Sequence, residues 1–309
     1  MKILVLGNGF IGSNLVSRLL NFSDYKITVL NRAGNIRGLH EGVNYVTGDY
    51  TDKSLLQNIL QHQDVVYHLL SETLPFSSWS SPKTEVEKNL IPFLDLLDLL
   101  AFNQPVKLVF VSSGGTVYGN SETHRSESDV PAPFVPYGII KLTMEYFLNY
   151  ARQKSGLTSY IFRISNVFGP GQMTTKGLGF VNTLLEAAIH QKPITVFGDG
   201  ENTRDYVYVQ DCCSLLLPDT LQKLLPDEVY NLASGNPVSQ NQLIAMVTEL
   251  TGLKLTIEYQ SIRKSDIRKI LLDNSKLTSH LPGFRFTSLM EALTSTYQSL
   301  RSGPNPMKW

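Results

Sequence analysis

KILVLGNGFIGSNLVSRLL, residues 2–20, joins a short apolar run to an amphipathic segment through a turn rich in glycine. The run at residues 2–6 predicts a buried strand, and the apolar spacing over residues 11–21 predicts a helix. The turn between them is Gly7-Asn8-Gly9-Phe10-Ile11-Gly12. Glycines at this GxGxxG spacing permit a tight turn and close approach of the backbone to a pyrophosphate, while free amides at the helix start attract negative charge. In this context the stretch predicts a dinucleotide-binding loop.

Strand and helix signals continue to alternate along the first half of the chain. Further strands are predicted at residues 26–30, 64–69, 107–112 and 158–163. Further helices are predicted at residues 52–62, 84–102 and 138–155. Such alternation implies a parallel sheet covered by helices on both faces. The predicted fold class is therefore α/β, a Rossmann doubly wound parallel sheet with a smaller C-terminal α/β substrate-binding lobe.

The pattern loosens after residue 165 into loops rich in glycine and proline. Helices are predicted there near residues 178–190, 211–225 and 239–251. We predict a dinucleotide-binding domain at residues 1–165 and a substrate-binding lobe at 166–309, with residues 204–232 returning to the first sheet. The final SGPNPMKW is expected to form a tail.

Charge and hydrophobicity exclude several classes of partner. The 309 residues carry 27 basic and 27 acidic side chains, so no broad positive field for nucleic acid is expected. The apolar runs are far shorter than the roughly 20 residues of a membrane span, and we expect neither a transmembrane helix nor a signal peptide. Cys212 and Cys213 are adjacent and poorly placed to bridge each other, which fits a reducing cytoplasm. No metal site is predicted.

The end of the second predicted strand lacks the acidic residue that would hold the ribose hydroxyls of NAD. Asn31 and Arg32 stand there, and a guanidinium without a neighbouring carboxylate favours the 2′-phosphate of NADP. A solvated loop arginine is an equal interpretation, so NAD is predicted with NADP left open. Asp49, followed by Tyr50, is placed to hydrogen-bond the adenine amino group or to cap the next helix.

Tyr137 and Lys141 lie four residues apart in YGIIK at the start of a predicted helix, so they share one face. A phenol with a pKa near 10 becomes a base near neutrality only if its pKa falls by a few units, at about 1.4 kcal/mol each. An adjacent ammonium and a positive nicotinamide supply that stabilisation. Such a pair is usually a surface feature, but here the glycine loop and VFVSSGGTVYG, residues 109–119, accompany it and favour a catalytic site.

Nearly the whole chain resembles the extended short-chain dehydrogenase/reductases, and within them the UDP-glucose 4-epimerase-like nucleotide-sugar epimerases and dehydratases. The resemblance is carried by GNGFIG, VVYHLLSETLP, SSGGTVYG, YGIIK, RISNVFGPGQ, VFGDGENTRDYVYVQD, YNLASGN and RKSDIRK. It implies that Tyr137 is the catalytic base and acid, that Lys141 tunes it and holds the nicotinamide ribose, and that Leu69 contacts the cofactor. It also implies a nucleotide-sugar substrate, with a UDP-linked sugar as the expected type.

The sequence departs from this family at two places. The usual catalytic serine or threonine precedes the tyrosine of VYG by four residues, where this chain has Gly114. We assign its role first to Thr116 and second to Ser113. The glycine loop has the shorter GxGxxG spacing, with Leu6 where the family commonly has a third glycine.

The resemblance also assigns residues of the smaller lobe. It implies that Arg204 and Arg263 bind the diphosphate and that Asp266 contacts a nucleotide ribose. It also implies a substrate-lobe amide at Asn166 and a nucleobase contact at Phe197. Guanidinium forks suit a diphosphate in a protein without net charge. Ile270 corresponds to a position that limits the size of the group on the sugar, and its medium size leaves N-acetylated sugars open.

The implied reaction is NAD(P)-dependent 4-epimerisation of a UDP-hexose or UDP-N-acetylhexosamine through a 4-keto intermediate. A 4,6-dehydratase needs an Asp-Glu pair, and a decarboxylase a glutamate, where this chain has Gly115-Thr116. An NADPH-dependent 4-ketoreductase of a nucleotide-linked deoxysugar needs the same residues as the epimerase and is the alternative. A non-catalytic cofactor-binding protein is disfavoured because the tyrosine and the lysine are both present.

The helices predicted at 84–102 and 138–155 carry apolar residues around more of their circumference than one sheet face requires. They are expected either to be buried within one chain or to pair across a two-fold axis as a four-helix bundle. The resemblance favours the homodimer.

Overall fold

The computed structural model describes residues 1–32, 39–73, 78–102, 105–174, 179–262 and 266–302. The strands, in chain order, are Lys2–Leu6 (β1), Lys26–Asn31 (β2), Asn44–Thr47 (β3), Val65–His68 (β4), Lys107–Ser113 (β5), Thr158–Ile164 (β6), Asn166–Phe168 (β7), Ile194–Phe197 (β8), Thr203–Tyr208 (β9), Val229–Leu232 (β10), Pro237–Ser239 (β11) and Ile257–Gln260 (β12).

The helices include one long segment interrupted by a π-helical turn at Val86–Leu90. In chain order they are Phe10–Leu19 (α1), Lys53–Leu60 (α2), Pro82–Glu85 (α3), Ile91–Ala101 (α4), Gly114–Val117 (α5), Pro136–Ser155 (α6), Phe180–His190 (α7), Val209–Leu215 (α8), Pro218–Leu221 (α9), Gln240–Thr251 (α10), Ser275–His280 (α11) and Leu289–Arg301 (α12).

Seven parallel strands form the large sheet, in the order β10-β6-β5-β4-β1-β2-β3. The direction of the crossovers reverses between β1 and β4, and ligands of doubly wound folds bind at the carboxyl ends of the strands at such a point. The Rossmann architecture predicted from the sequence is therefore confirmed.

Both faces of the large sheet are covered, which explains why its strands are continuous hydrophobic runs. Ile3 and Val5 of β1 pack on one face with residues of α1 and α8. Leu4 and Leu6 face the other side, against residues of α2, α4 and α6. All four are fully buried, and each such side chain contributes roughly 1.5–3 kcal/mol on burial.

The smaller lobe is built on two short sheets, β11-β9-β7 and β12-β8, with a core between α7, α10 and α12. Within residues 204–232, β10 joins the large sheet and α8 packs on α1, whereas β9 pairs with β7 and β11. None of the helices in the described part of the chain has both the length and the hydrophobicity to cross a membrane.

One predicted helix is wrong in its extent. Residues 211–225 form α8 and α9 instead of one helix, because Pro218 forces Leu217 into an extended conformation, with ψ 145°. The strands β7, β8, β9, β11 and β12 were not predicted as strands, and the helices α11 and α12 have no counterpart in the prediction.

Candidate active site

The glycine loop needs glycine for two different reasons. Gly7 has φ +109°, a conformation that side chains disfavour, and a Cβ on Gly12 would lie 1.9 Å from the carbonyl oxygen of Gly7. Gly9 starts α1 without a side-chain cap, and a Cβ there would meet nothing within 4 Å. Bare helix amides beside open space fit the pyrophosphate of a dinucleotide. Leu69 lies against this loop, with its carbonyl carbon 3.3 Å from where a Gly7 Cβ would be.

Asn31 and Arg32 differ in environment at the end of β2. The Asn31 side chain is buried, and its Nδ2 has no hydrogen-bond partner among the residues that the structure describes. The Arg32 guanidinium instead forms an ion pair with Glu72, from the loop after β4. The position that was open to a 2′-phosphate therefore already holds a carboxylate.

The residues after β3 turn toward their own backbone and the core. Asp49 accepts hydrogen bonds from the amide and the hydroxyl of Thr51, at 2.8 and 2.7 Å, and these bonds lower its pKa. The N-cap of α2 is Asp52, not Asp49. Tyr50 is 9% exposed, and its hydroxyl lies 3.1 Å from Nε2 of His68. Burial lowers the pKa of His68 to about 3, so this imidazole is neutral.

Tyr137 and Lys141 lie in the first turns of α6. Lys141 Nζ donates to the carbonyl oxygen of Val111 at 3.0 Å and lies 5.8 Å from the centre of the Tyr137 ring. Burial lowers the pKa of Lys141 to about 8, against the opposing charges of Glu145 and Glu85. Burial raises the pKa of Tyr137 to about 12. The phenol therefore needs further positive charge nearby to act as a base near neutrality.

The hydroxyl candidates form a pair at the end of β5. Thr116 is 5% exposed and its Oγ1 donates to Oγ of the half-buried Ser113 at 2.9 Å. A Cβ on Gly114 would lie 2.5 Å from Cδ1 of Leu272 and 2.9 Å from the carbonyl oxygen of Arg163. The usual hydroxyl position of the family therefore has no room for a side chain in this chain.

Helix α6 packs very closely on α5. A Cβ on Gly138 would lie 2.7 Å from the carbonyl oxygen of Thr116. The glycine of YGIIK thus lets the helix that carries Tyr137 rest directly on the turn that carries the hydroxyls.

A cavity of about 460 Å³ opens between the large sheet and the smaller lobe. The predicted residues that line it are Phe10, Ile11, Ser113, Thr116, Tyr137, Asn166, Arg204, Asp266 and Ile270. Phe197, at the end of β8, lies outside this lining, and Arg263 lies outside the described residues.

Arg204 places a partly buried positive charge in the wall of the cavity. Its NH1 donates to the carbonyl oxygens of Thr203 and Arg268, at 2.9 and 3.2 Å. Burial is the main cause that lowers its pKa, while the charge of Asp266 opposes this effect. An anion in the cavity would compensate the desolvation of this guanidinium.

The cavity also contains residues that sequence analysis missed, among them Gln172, Phe180 and Tyr206. Gln172 ends the stretch RISNVFGPGQ, and Tyr206 lies two residues after Arg204, on the same face of β9. Both signals were present in the sequence, whereas Phe180 is an ordinary apolar position at the start of a helix.

Comparison with known proteins gives one family and two groups of relatives. Residues 3–233 match the model of the NAD dependent epimerase/dehydratase family. The UDP-glucose 4-epimerase of Thermotoga maritima, solved with UDP-glucose, is 31% identical with a TM-score of 0.90, covering 98% of this chain and 99% of that chain. The UDP-glucose 4-epimerase of Thermus thermophilus, solved with NAD, is 28% identical with a TM-score of 0.90, covering 98% and 100%. The dTDP-4-dehydro-6-deoxyglucose reductase of Escherichia coli is 26% identical over 92% of each chain.

Proposed function

Because the chain belongs to the NAD-dependent epimerase/dehydratase family, we propose that it inverts C4 of a UDP-hexose or UDP-N-acetylhexosamine through a 4-keto intermediate. The observation that carries this proposal is the shared cavity, which is lined by Tyr137 and the Ser113–Thr116 pair, together called the catalytic wall, and also by Arg204. We propose that the sugar binds between the hydroxyls and the phenol and that the guanidinium binds its diphosphate. The relative solved with UDP-glucose supports this class of substrate.

The proton chemistry is assigned to residues of the catalytic wall. Tyr137 takes the proton of the sugar 4-hydroxyl and later returns it, and the Lys141 charge stabilises the phenolate in between. The chemistry that bound NAD supplies is reversible hydride transfer at C4. Since the Thr116 hydroxyl is used on Ser113, we propose that Ser113 contacts the sugar oxygen and Thr116 orients it, which reverses the order assigned from the sequence.

The cofactor is proposed to be NAD rather than NADP. Arg32 is paired with Glu72, and the charge of Asp49 also acts on it. A 2′-phosphate would have to displace one carboxylate and approach a second. The relative solved with NAD supports this choice.

The test begins with the purified protein denatured and any released nicotinamide cofactor identified by mass. Native protein is then incubated with UDP-glucose and with UDP-N-acetylglucosamine without added cofactor. Retained NAD and appearance of the C4 epimer support the proposal, and Tyr137→Phe should abolish the epimer while keeping the cofactor. Absence of epimer from both sugars, with the cofactor bound, refutes it.

The second candidate is an NADPH-dependent 4-ketoreductase, favoured by the similarity to the reductase of Escherichia coli. It predicts no retained cofactor, and NADPH oxidation only with a 4-keto nucleotide sugar. The same preparation therefore separates the two reactions.

We also propose a homodimer formed through α4 and α6. Ile91, Ile139, Tyr146 and Tyr150 are each between 45% and 64% exposed on the two helical segments. A two-fold axis across this face would set the helices of one chain against the same helices of its partner. A monomeric mass at micromolar concentration in sedimentation would remove this proposal.

A further inference from the structure

A buried ion pair lies beneath the catalytic wall, outside the cavity. Arg163 of β6 donates from Nε to both carboxylate oxygens of Glu145 of α6, at 3.2 and 3.1 Å, and from NH2 at 2.7 Å. The two side chains are 5% and 4% exposed. Among the ion pairs of the described residues, this is the one with both side chains almost fully buried.

Glu145 connects the strand that carries the hydroxyls to the helix that carries the phenol. The Ser112 hydroxyl, adjacent to Ser113 at the end of β5, donates to the Glu145 carboxylate. On α6, Glu145 follows Lys141 by one turn, so the two side chains lie on one face. The Glu145 carboxylate thus contacts Ser112, the residue before Ser113, and lies on the same helix face as Lys141.

The pair continues as a chain of hydrogen bonds to the smaller lobe. Arg163 NH1 donates to the Tyr118 hydroxyl at 2.7 Å, and this hydroxyl donates to Oδ1 of Asn231 at 2.9 Å. Asn231 Nδ2 then donates to the carbonyl oxygens of Arg125 and Asp273, at 2.8 and 3.0 Å. Asp273 lies three residues after Ile270, which lines the cavity, so the buried network extends to this segment of the smaller lobe.

The stability of the fold does not by itself explain why this buried ion pair is present. A buried ion pair replaced by apolar residues of similar volume often leaves a protein as stable or more stable, because desolvation offsets the attraction. Catalysis, in contrast, requires reacting groups to be held to within a fraction of an ångström by a supporting layer of side chains.

We propose that Glu145 is a positioning residue of this site, which anchors the hydroxyl strand to the Tyr137–Lys141 helix and supplies negative charge to Lys141. The predicted effect of Glu145 on kcat rests on the proposed function. The predicted effect of Glu145 on the titration of Lys141 is independent of that function, since it is measured without turnover.

The surroundings of Lys141 define what removal of Glu145 should do. Tyr137 and Glu145 face it from its own helix, Glu85 from α3 and the neutral His68 from β4. Without Glu145 one carboxylate fewer favours the ammonium, so the pKa of Lys141 falls below about 8. Activity that needs the charged lysine is then lost at a lower pH than in the wild type, because the ammonium loses its proton as the pH rises through the lowered pKa.

The test compares three variants with the wild type. Ser112→Ala removes the anchoring hydrogen bond and keeps both charges. Glu145→Gln removes the charge but leaves Arg163 buried and unpaired, which is strongly destabilising. The double variant Glu145→Gln/Arg163→Met removes both charges together and keeps the experiment decisive if the single variant does not fold. Glu228→Gln, which breaks the more exposed ion pair with Lys276, is the control.

The first readout is the titration of Lys141 in the protein as purified, followed by NMR of ¹³Cε-labelled lysine and assigned by comparison with Lys141→Met. The midpoint should fall in Glu145→Gln, and by less in the double variant, which also loses the positive charge of Arg163. It should stay unchanged in Ser112→Ala and in Glu228→Gln. The second readout is kinetic. Ser112→Ala should lower kcat about ten- to a hundredfold with KM little changed, because the hydroxyls lose their alignment.

A folded double variant with the wild-type Lys141 midpoint and the wild-type kcat overturns the proposal and leaves the pair a structural feature. If the wild type epimerises neither sugar, the proposed function fails. The Lys141 titration then still decides the positioning role by itself.

Discussion

Thr116 Oγ1 lies 2.9 Å from Ser113 Oγ and donates a hydrogen bond to it. Ser113→Ala should therefore lower kcat by about 100-fold or more, because the donor to the sugar oxygen is lost. Thr116→Val should lower it by only about tenfold, because the contacting hydroxyl remains but is no longer oriented. Steady-state kinetics on the epimerised sugar measures both effects. If Thr116→Val proves the more damaging change, the assignment made from the sequence is restored.

Arg204 is expected to act on binding rather than on chemistry. Arg204→Met should weaken the binding of UDP about 10- to 100-fold, since hydrogen bonds to charged groups contribute about 1.5–3 kcal/mol each. Calorimetry with UDP measures this without turnover. Arg285→Met is a matched control, because Arg285 is exposed and donates to backbone carbonyls in the same way. An unchanged UDP affinity in Arg204→Met would place the diphosphate elsewhere.

Glu72 is expected to select against NADP. Glu72→Gln frees Arg32, so the affinity for NADP relative to NAD should rise about fivefold, as two exposed charges about 4 Å apart interact by about 1 kcal/mol. The ratio of the two dissociation constants is measured by cofactor titration. Glu87→Gln, which breaks a surface ion pair with Lys83, should leave the ratio unchanged. Equal ratios in both variants would contradict this role of Glu72.

Gly114 is expected to tolerate no side chain. Gly114→Ala places a methyl group 2.5 Å from Leu272 Cδ1 and 2.9 Å from a backbone oxygen. The free energy of unfolding should fall by about 1–3 kcal/mol in urea denaturation. Gly283→Ala, where a Cβ would meet nothing within 4 Å, is the control and should have little effect. Equal stability of the two variants would show that the strand end relaxes easily.

Lys141 should make stability depend on pH in the alkaline range. Its pKa is lowered from the ordinary value of 10.5 to about 8, so between these values the unfolded chain binds more protons than the native protein. Stability relative to Lys141→Met should therefore rise as the pH increases from 8 to 10.5, by up to about 3 kcal/mol. Denaturation at both pH values measures it, with the exposed Lys154→Met as control. A flat difference would mean that Lys141 is less buried than the structure indicates.

The first half of the chain was predictable because each of its elements is specified locally. The spacing of the apolar residues changes after Gly7 from that of a buried strand to that of a helix. Tyr137 and Lys141 lie in one short helical stretch, so their shared face was also specified locally. In the smaller lobe the helices α7 and α10 were predicted in the same way, near residues 178–190 and 239–251. The strands β7 and β11 were not, since three residues are too few to show a period.

The features of the site that the sequence did not predict depend on contacts between residues that are distant in the sequence. Nothing near Arg32 in the sequence indicates Glu72, which is 40 residues away and reaches it from another loop. The pairing of Glu145 with Arg163 depends on α6 crossing the sheet beside β6. Asn166 and Arg204 reach one cavity because β7 and β9 pair in parallel.

The close contact between Gly138 and the backbone of Thr116 matters for protein engineering. Since no methyl group fits between them, the helix that carries Tyr137 and the turn that carries the hydroxyl pair are in direct contact, and a side chain at Gly138 would push them apart. Libraries that aim to change the accepted sugar should therefore leave this contact intact and vary other residues that line the cavity, at Asn166, Gln172 and Ile270.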